Sequence, residues 1–332
     1  MVTARQVRAW AGLRRMWARA CWALCGGWAC WGAWAQAPAS PQGCPPPFMP
    51  LAEQMAHVAA MPAGKAGFLF EAFKEGRPVW LYGTFHFATV DDVKPSLAVM
   101  TALRRSDVLA VELDVFQPQP QPSDGPPSAQ APVAPMFEPT ALQAQRLQAA
   151  YASECLVWPV TPQPMPQIPL LLAQAQRLGM ALGYGMDARM AQFAHRNHKP
   201  VVALETLGEQ LRALTPPGRA DFDRHLDSAL DAWASGKMRQ ELVDTHRVWR
   251  DGDWPGLLAL AQRLRSEDPA WARALLDARN ERMAARIDAM HAQGQKVFVA
   301  VGALHLAGPS SLPQLLEARG YRLRLVRMPR TP

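Results

Sequence analysis

A histidine three residues after a glycine occurs twice in this chain, in Gly83-Thr84-Phe85-His86 and in Gly302-Ala303-Leu304-His305. An imidazole can ligate a metal, move a proton or cap a loop, so the pattern alone leaves the role open. With 22 glycines and 8 histidines, one match is unremarkable; two are more than composition supplies. Both copies follow runs that read as buried strands, Val79-Trp80-Leu81-Tyr82 and Val297-Phe298-Val299-Ala300-Val301. Two carboxylates have a similar placement: Glu112 interrupts Val108–Leu113, and Glu205 ends Val201–Glu205. A carboxylate in an apolar strand is rarely buried unless it pairs, coordinates or is protonated. Glu112 therefore reads either as a metal ligand beside His86 or as a strand-end acid bonded to a nearby arginine, and Glu205 has the same two readings. Two imidazoles and a carboxylate with one open position form a hydrolytic metal set, because the open position lowers the pKa of bound water. The plainer alternative makes His86 and His305 core or loop-capping residues.

Other candidates carry less weight. Arg279-Asn280 falls in a helical stretch, where a guanidinium and an amide could stabilise developing negative charge, although an exposed helical arginine usually only solubilises. His195 and His198 lie in a basic, loop-like stretch without an acid and read as solvated surface. The sequence contains no Walker glycine loop, no Gly-x-Ser-x-Gly elbow and no His-Glu-x-x-His helix.

The elements that must position these residues follow from the pattern of apolar runs. A short helix is expected at about 51–60, then a β-hairpin from Gly67–Phe73 and Pro78–Tyr82 across Lys74–Arg77. A helix near Ser96–Arg104 between two strands makes a βαβ unit, hence a parallel sheet. Residues 117–135 form a Pro-, Gln- and Ser-rich tract without periodicity, read as a disordered surface insertion. Helices are expected at about 138–151 and 170–178, a helical block at 207–292, a helix at 311–318 and a last strand at 321–326. The expected class is α/β: a mixed, mostly parallel central sheet with an N-terminal hairpin and a large helical insertion. In open sheets of this kind, ligands gather beyond the carboxyl ends of the strands.

The formal net charge of +7 is unevenly placed. Of 35 lysines and arginines, Arg5, Arg8, Arg14, Arg15 and Arg19 precede residue 36 without any acid, so the remainder nearly balances the 28 acids and argues against a nucleic-acid partner. A basic segment, an apolar stretch over about 20–35 and Ala33-Trp34-Ala35 have the layout of a signal peptide, with Met1 or Met16 as the start and a mature chain from Gln36. The apolar run is short for a membrane span, although the six tryptophans of residues 1–35 leave an anchor as the alternative. A single domain over 36–332 in the periplasm or outside the cell is expected. Cleavage leaves Cys44 and Cys155, an even pair that reads as one disulfide in an oxidising compartment.

Several longer motifs carry a family resemblance: Leu81–His86, Val111-Glu112-Leu113-Asp114, Gly185-Met186-Asp187, Leu204-Glu205-Thr206 with Gln210, Arg279-Asn280, and Val297–Gly308. Together these stretches resemble the TraB/GumN family, which includes the TraB and PrgY proteins and is related to the Tiki metalloproteases. The resemblance implies an α/β core whose two Gly-x-x-His motifs and a glutamate form the active centre. By position these fall on His86, Glu112 and His305, with Glu205, Arg279 and Asn280 in support. In the Tiki branch it implies a divalent-metal-dependent peptidase, whereas other members are described as capturing peptide signals. The Pro-rich insertion after Asp114 is the chief departure.

The expected function is an exported hydrolase, a peptidase acting on a peptide or protein. His86, Glu112 and His305 would hold one manganese, cobalt or zinc ion, Glu205 would be a base or further ligand, and Arg279 with Asn280 would stabilise an oxyanion. The rivals are a non-catalytic protein that captures a peptide or other ligand in the same cleft, and a fold element stabilised by a closed metal site.

Overall fold

The computed structural model describes residues 43–62, 64, 66–116, 136–159 and 163–326. The expected signal peptide and Pro-rich insertion lie outside these residues. A helix, α1 (Leu51–Ala60), leads into the hairpin of β1 (Phe68–Lys74) and β2 (Arg77–Thr84). Its two turn residues both have positive φ, Glu75 at 50° and Gly76 at 76°. That geometry matches the right-handed twist of the flanking strands, and glycine at the second position adopts it without strain.

The chain continues through a 3₁₀ turn (Val90–Asp92), α2 (Leu97–Arg105) and β3 (Val108–Val111). Two helices follow, α3 (Ala141–Ser153) and α4 (Ile168–Arg177), then α5 (Met186–Arg196) and the short β4 (Val201–Ala203). The helical block comprises α6 (Leu207–Leu214), α7 (Arg219–Ala234), α8 (Lys237–Arg250) and α9 (Trp254–Glu267). One helical turn (Pro269–Ala272) and a π-helical segment (Arg273–Asp277) then lead into α10 (Ala278–Ala292). After β5 (Val297–Gly302), a 3₁₀ turn (Ala303–Leu306), α11 (Leu312–Glu317) and β6 (Arg322–Val326) complete the described chain.

The six strands form one mixed sheet in the order β4-β3-β5-β2-β1-β6. The pairs β4·β3, β3·β5 and β5·β2 are parallel, and β2·β1 and β1·β6 antiparallel. The expected crossover through α2 is present, but β5 lies between β2 and β3, so that crossover skips one position. Central strands covered on both faces need apolar side chains throughout, which is why β5 reads Val-Phe-Val-Ala-Val and β3 Val-Leu-Ala-Val, all buried. The edge strand β6 alternates instead and exposes Arg322 and Arg324, the charged surface expected of an unpaired edge.

Besides the core around the sheet, a second apolar cluster joins Leu147, Tyr151 and Leu170 to Phe222, Leu226 and Leu230, so α3, α4 and α7 bury one another's stripes. Cys155, just beyond α3, is bonded to Cys44, with 5.4 Å between their Cα atoms. Among the described residues, no helix is long and apolar enough to cross a membrane.

Candidate active site

The parallel strands β2, β5, β3 and β4 all end at one edge of the sheet, and every strand-end residue singled out above follows one of them. The ladder between β3 and β4 runs one step past the strands: Leu204 N–H donates to Val111 O at 2.7 Å and Glu205 N–H to Glu112 O at 3.0 Å. Glu112 and Glu205 therefore emerge side by side, 7% and 2% exposed. Two adjacent buried carboxylates repel each other unless a cation lies between them.

Arg279 supplies that cation. Its Nη2 is 2.6 Å from Glu112 Oε2 and 2.7 Å from Glu205 Oε2, its Nε donates to Glu205 Oε1 at 2.9 Å, and its Nη1 donates to Leu275 O at 3.0 Å. The side chain leaves the first turn of α10, directly after the π-helical segment, and is 3% exposed rather than solubilising. A π-turn changes the angle at which the next side chains leave the helix, a distortion frequent at functional sites.

The neighbouring Asn280 serves the second histidine. Its Nδ2 donates to Ser310 O at 2.8 Å, which orients Oδ1 to accept from His305 Nδ1–H at 2.6 Å. His86 has a matching arrangement, with Nδ1 3.1 Å from Asp187 Oδ2 at the start of α5. Both imidazoles are thus held through Nδ1 by an oxygen acceptor, leaving Nε2 as the atom turned toward the site. This is the outer support that metal-ligating histidines ordinarily have.

The motif glycines explain how the arms meet. A methyl group on Gly83 would stand 2.9 Å from Leu306 Cδ1 and 3.1 Å from Ala303 Cα, so Gly83 admits the turn that carries His305. A methyl group on Gly302 would stand 3.3 Å from Glu112 Oε1, 3.6 Å from His86 Nε2 and 3.7 Å from His305 Cδ2. Each glycine therefore clears space for the other arm's chemistry. Gly302 N–H also donates to Glu112 Oε1 at 2.6 Å, and Gln210 Nε2 to Glu112 Oε2 at 3.2 Å.

Electrostatics set three different protonation states. Burial works to raise the pKa of Glu112, but His305, Arg279, His86 and the Gly302 N–H outweigh it and hold the carboxyl well below the usual range. Burial pushes His305 down to about 4, with Arg279 and His86 adding to the effect and Glu112 opposing it. The Asp187 carboxylate, helped by Glu112, lifts His86 to about 9 against the pull of burial. These surroundings favour an ionised Glu112 and a protonated His86 and disfavour a second proton on His305. A cation bound at His86 must displace that proton.

The donor chemistry suits a divalent ion. His305 Nε2 and Glu112 Oε1 are 3.7 Å apart, too far for a hydrogen bond but close to the ~3.4 Å that separates two ligands of one tetrahedral ion at ~2.1 Å. Among the described residues no group of three His, Cys, Asp or Glu is close enough together to hold a metal ion. The residues expected to be catalytic are engaged as well: Arg279 occupies both oxygens of Glu205, whose side chain is fully buried, and both ends of Asn280 are bonded. In this arrangement Glu205 anchors Arg279 and Asn280 positions His305.

Sequence reasoning quoted Asp187 and Gln210 in motifs without giving them roles. Asp187 looks like any acid in the first turn of a helix, where it complements the helix dipole. His195 differs from its reading as solvated surface. It lies in the last turn of α5 and its Nε2 is 2.9 Å from Asp114 Oδ2, a buried carboxylate, whereas His198 is exposed.

With this geometry in view, the comparison with known proteins is direct. The profile of the TraB/PrgY/gumN family matches residues 68–325. The chain belongs to that family. All six site residues of this TraB/PrgY/gumN member, from His86 to His305, lie inside the matched region, and Cys44 lies before it. The chain is also similar to the protein called "Uncharacterized protein YbaP" in Escherichia coli (strain K12), 30% identical over 246 residues, which are 71% of this chain and 87% of the relative. The protein of the same description in Shigella flexneri matches to the same extent. No solved structure matches the family member described here.

Proposed function

We propose that this protein is a divalent-metal-dependent hydrolase acting on peptides outside the cytoplasm. The observation that carries the reading is the paired support of the imidazoles: Asp187 and Asn280 hold the Nδ1 atoms of His86 and His305, so both Nε2 atoms turn toward Glu112 at the carboxyl edge of the sheet. His86, His305 and Glu112 would hold the ion. Manganese, cobalt or zinc would there supply a Lewis acid that polarises a carbonyl. Arg279 neutralises the outer oxygen of Glu112, Glu205 keeps Arg279 in place, and Gly302 N–H fixes the inner oxygen. A disulfide between Cys44 and Cys155 suits an oxidising compartment, which supports export.

The test is metal analysis of the purified full chain, followed by digestion of a peptide library with and without chelator. Cleavage that chelator abolishes and added metal restores is expected; cleavage unaffected by chelator would overturn the metal, and no metal uptake at all would overturn the site. A second reading, capture of a peptide without turnover, is favoured by one observation: the Glu112 charge is already balanced by Arg279. Metal uptake and peptide binding without cleavage would select it.

A further inference from the structure

Between α2 and α5 lies an open groove of about 400 Å³, whose lining includes Val93, Lys94, Met100, Arg189, Phe193 and Arg196. Three of these are cations, and no carboxylate among the described residues lines the groove. Lys94 also reaches over the carbonyls of Ala59 and Met61. The unusual member is Arg189. Its Nε is buried without a partner, and its one hydrogen bond among the described residues runs from Nη1 to Gln192 Oε1 at 3.2 Å.

Several other arginines bury an Nε or part of the side chain as well, but Arg77, Arg146, Arg177, Arg265, Arg279 and Arg282 each lie within 4 Å of a carboxylate. A guanidinium partly withdrawn from water without a counter-charge is costly, and such a group in a native fold calls for an anion, which the described residues around it do not supply. Burial, then Arg196, lower the pKa of Arg189, as expected for a positive charge set beside another. The planar guanidinium edge matches a carboxylate, and Val93, Met100 and Phe193 give the groove an apolar side. Arg189 follows Asp187, the partner of His86, by two residues on α5, and Val93–Pro95 follows His86 on the chain. The groove therefore borders the arm that carries the first histidine.

We infer that this groove binds the C-terminal carboxylate of a peptide together with its apolar last side chain. The choice of a peptide over another carboxylate rests on the proposed function; the anion site itself does not. Binding of N-acetylphenylalanine, its amide and octanoate to the disulfide-bonded protein is measured by calorimetry with chelator present, so the outcome is independent of any metal. The acid is expected to bind at least tenfold more tightly than the amide. In Arg189→Met that preference is expected to vanish while Tm without ligand stays level or rises, because an uncompensated charge has been removed. Arg189→Lys, which keeps the charge and loses the planar edge, is expected to bind the acid several-fold more weakly, and it carries the test if Arg189→Met does not fold. Equal binding of acid and amide, or undiminished binding by these variants, overturns the anion site. A fall in Tm of several degrees in folded Arg189→Met shows the arginine to be structural and overturns it too. Tighter binding of octanoate than of N-acetylphenylalanine overturns the peptide as ligand. If the groove binds as expected and no peptide is ever cleaved, only the hydrolase reading fails.

Discussion

Arg279 Nη2 lies 2.6 Å from Glu112 Oε2, and both side chains are less than a tenth exposed. The same guanidinium also holds Glu205. Removing one member of such a set leaves buried charge without compensation, at a cost of about 3 to 5 kcal/mol. Arg279→Met is therefore expected to be severely destabilised in urea unfolding. The double variant Arg279→Met/Glu205→Gln should recover part of the loss; no recovery would mean that the two carboxylates are not the reason.

His86→Ala and His305→Ala are expected to lower metal occupancy by about a hundredfold or more, and Asn280→Ala by about 10 to 100-fold, since it frees the His305 ring without deleting it. Mass-spectrometric metal counting on folded variants reads all three. Glu205→Gln should retain the ion, because Arg279 rather than the site occupies that carboxylate. Full occupancy in both histidine variants would show that the ligands have been misassigned.

Gly302→Ala places a methyl group 3.3 Å from Glu112 Oε1 and 3.6 Å from His86 Nε2. The backbone there has φ −51°, which alanine adopts freely, so folding should be little changed while metal occupancy and turnover fall about tenfold. A variant with parental activity would mean that the space above Gly302 is not where chemistry happens.

Much of this arrangement is legible in the sequence, and the part that is not has a physical reason. Glu112 and Glu205 stand out because a carboxylate at the end of an apolar strand must find a partner, and both do. Of the two readings of Glu112, the acid bonded to arginine is the one seen in the fold, while the metal ligand belongs to the proposed function. Helix residues are harder. Arg279, Asn280 and Asp187 look like ordinary surface polar residues because a 3.6-residue period tells which face is polar, not which polar group is folded inward. The placement of β5 between β2 and β3 is also invisible locally, since parallel register joins residues more than 200 positions apart, such as Gly83 and Val301.

Away from the site, Asp92 accepts from Thr89 and lies 2.7 Å from His246 Nε2, with both side chains buried. Burial opposes ionisation of Asp92, but the bonds from His246 and Thr89 prevail and lower its pKa. A carboxyl whose pKa is lowered on folding adds stability that is fully present above its unfolded value, near 4, and is lost as pH falls through the folded value. Tm should therefore drop on acidification below about pH 4, and Asp92→Asn should flatten that limb while costing about 1 to 3 kcal/mol at neutral pH. An unchanged acid limb in the variant would assign the loss to other groups.

Cys44 and Cys155 close a loop with a sequence separation of 111. On chain-entropy grounds, Cys44→Ser/Cys155→Ser should cost about 5 kcal/mol, read by chemical unfolding against the oxidised parent. Two alkylatable thiols in the folded protein would remove the bridge from the account.

The order β3-β5-β2 has a temporal consequence. β5 is the strand that joins the two halves of the sheet, and it begins at Val297, after His86, Glu112, Glu205, Arg279 and Asn280 have been made. A chain emerging from a ribosome or a translocon can close the β1·β2 hairpin early, but it holds His86 and Glu112 apart until β5 slides between their strands. Until then neither glycine has its opposite arm to admit, and Arg279 has carboxylates on only one side of an open seam. Assembly of the last central strand is thus the step that brings His86, Glu112 and His305 to one edge of the sheet.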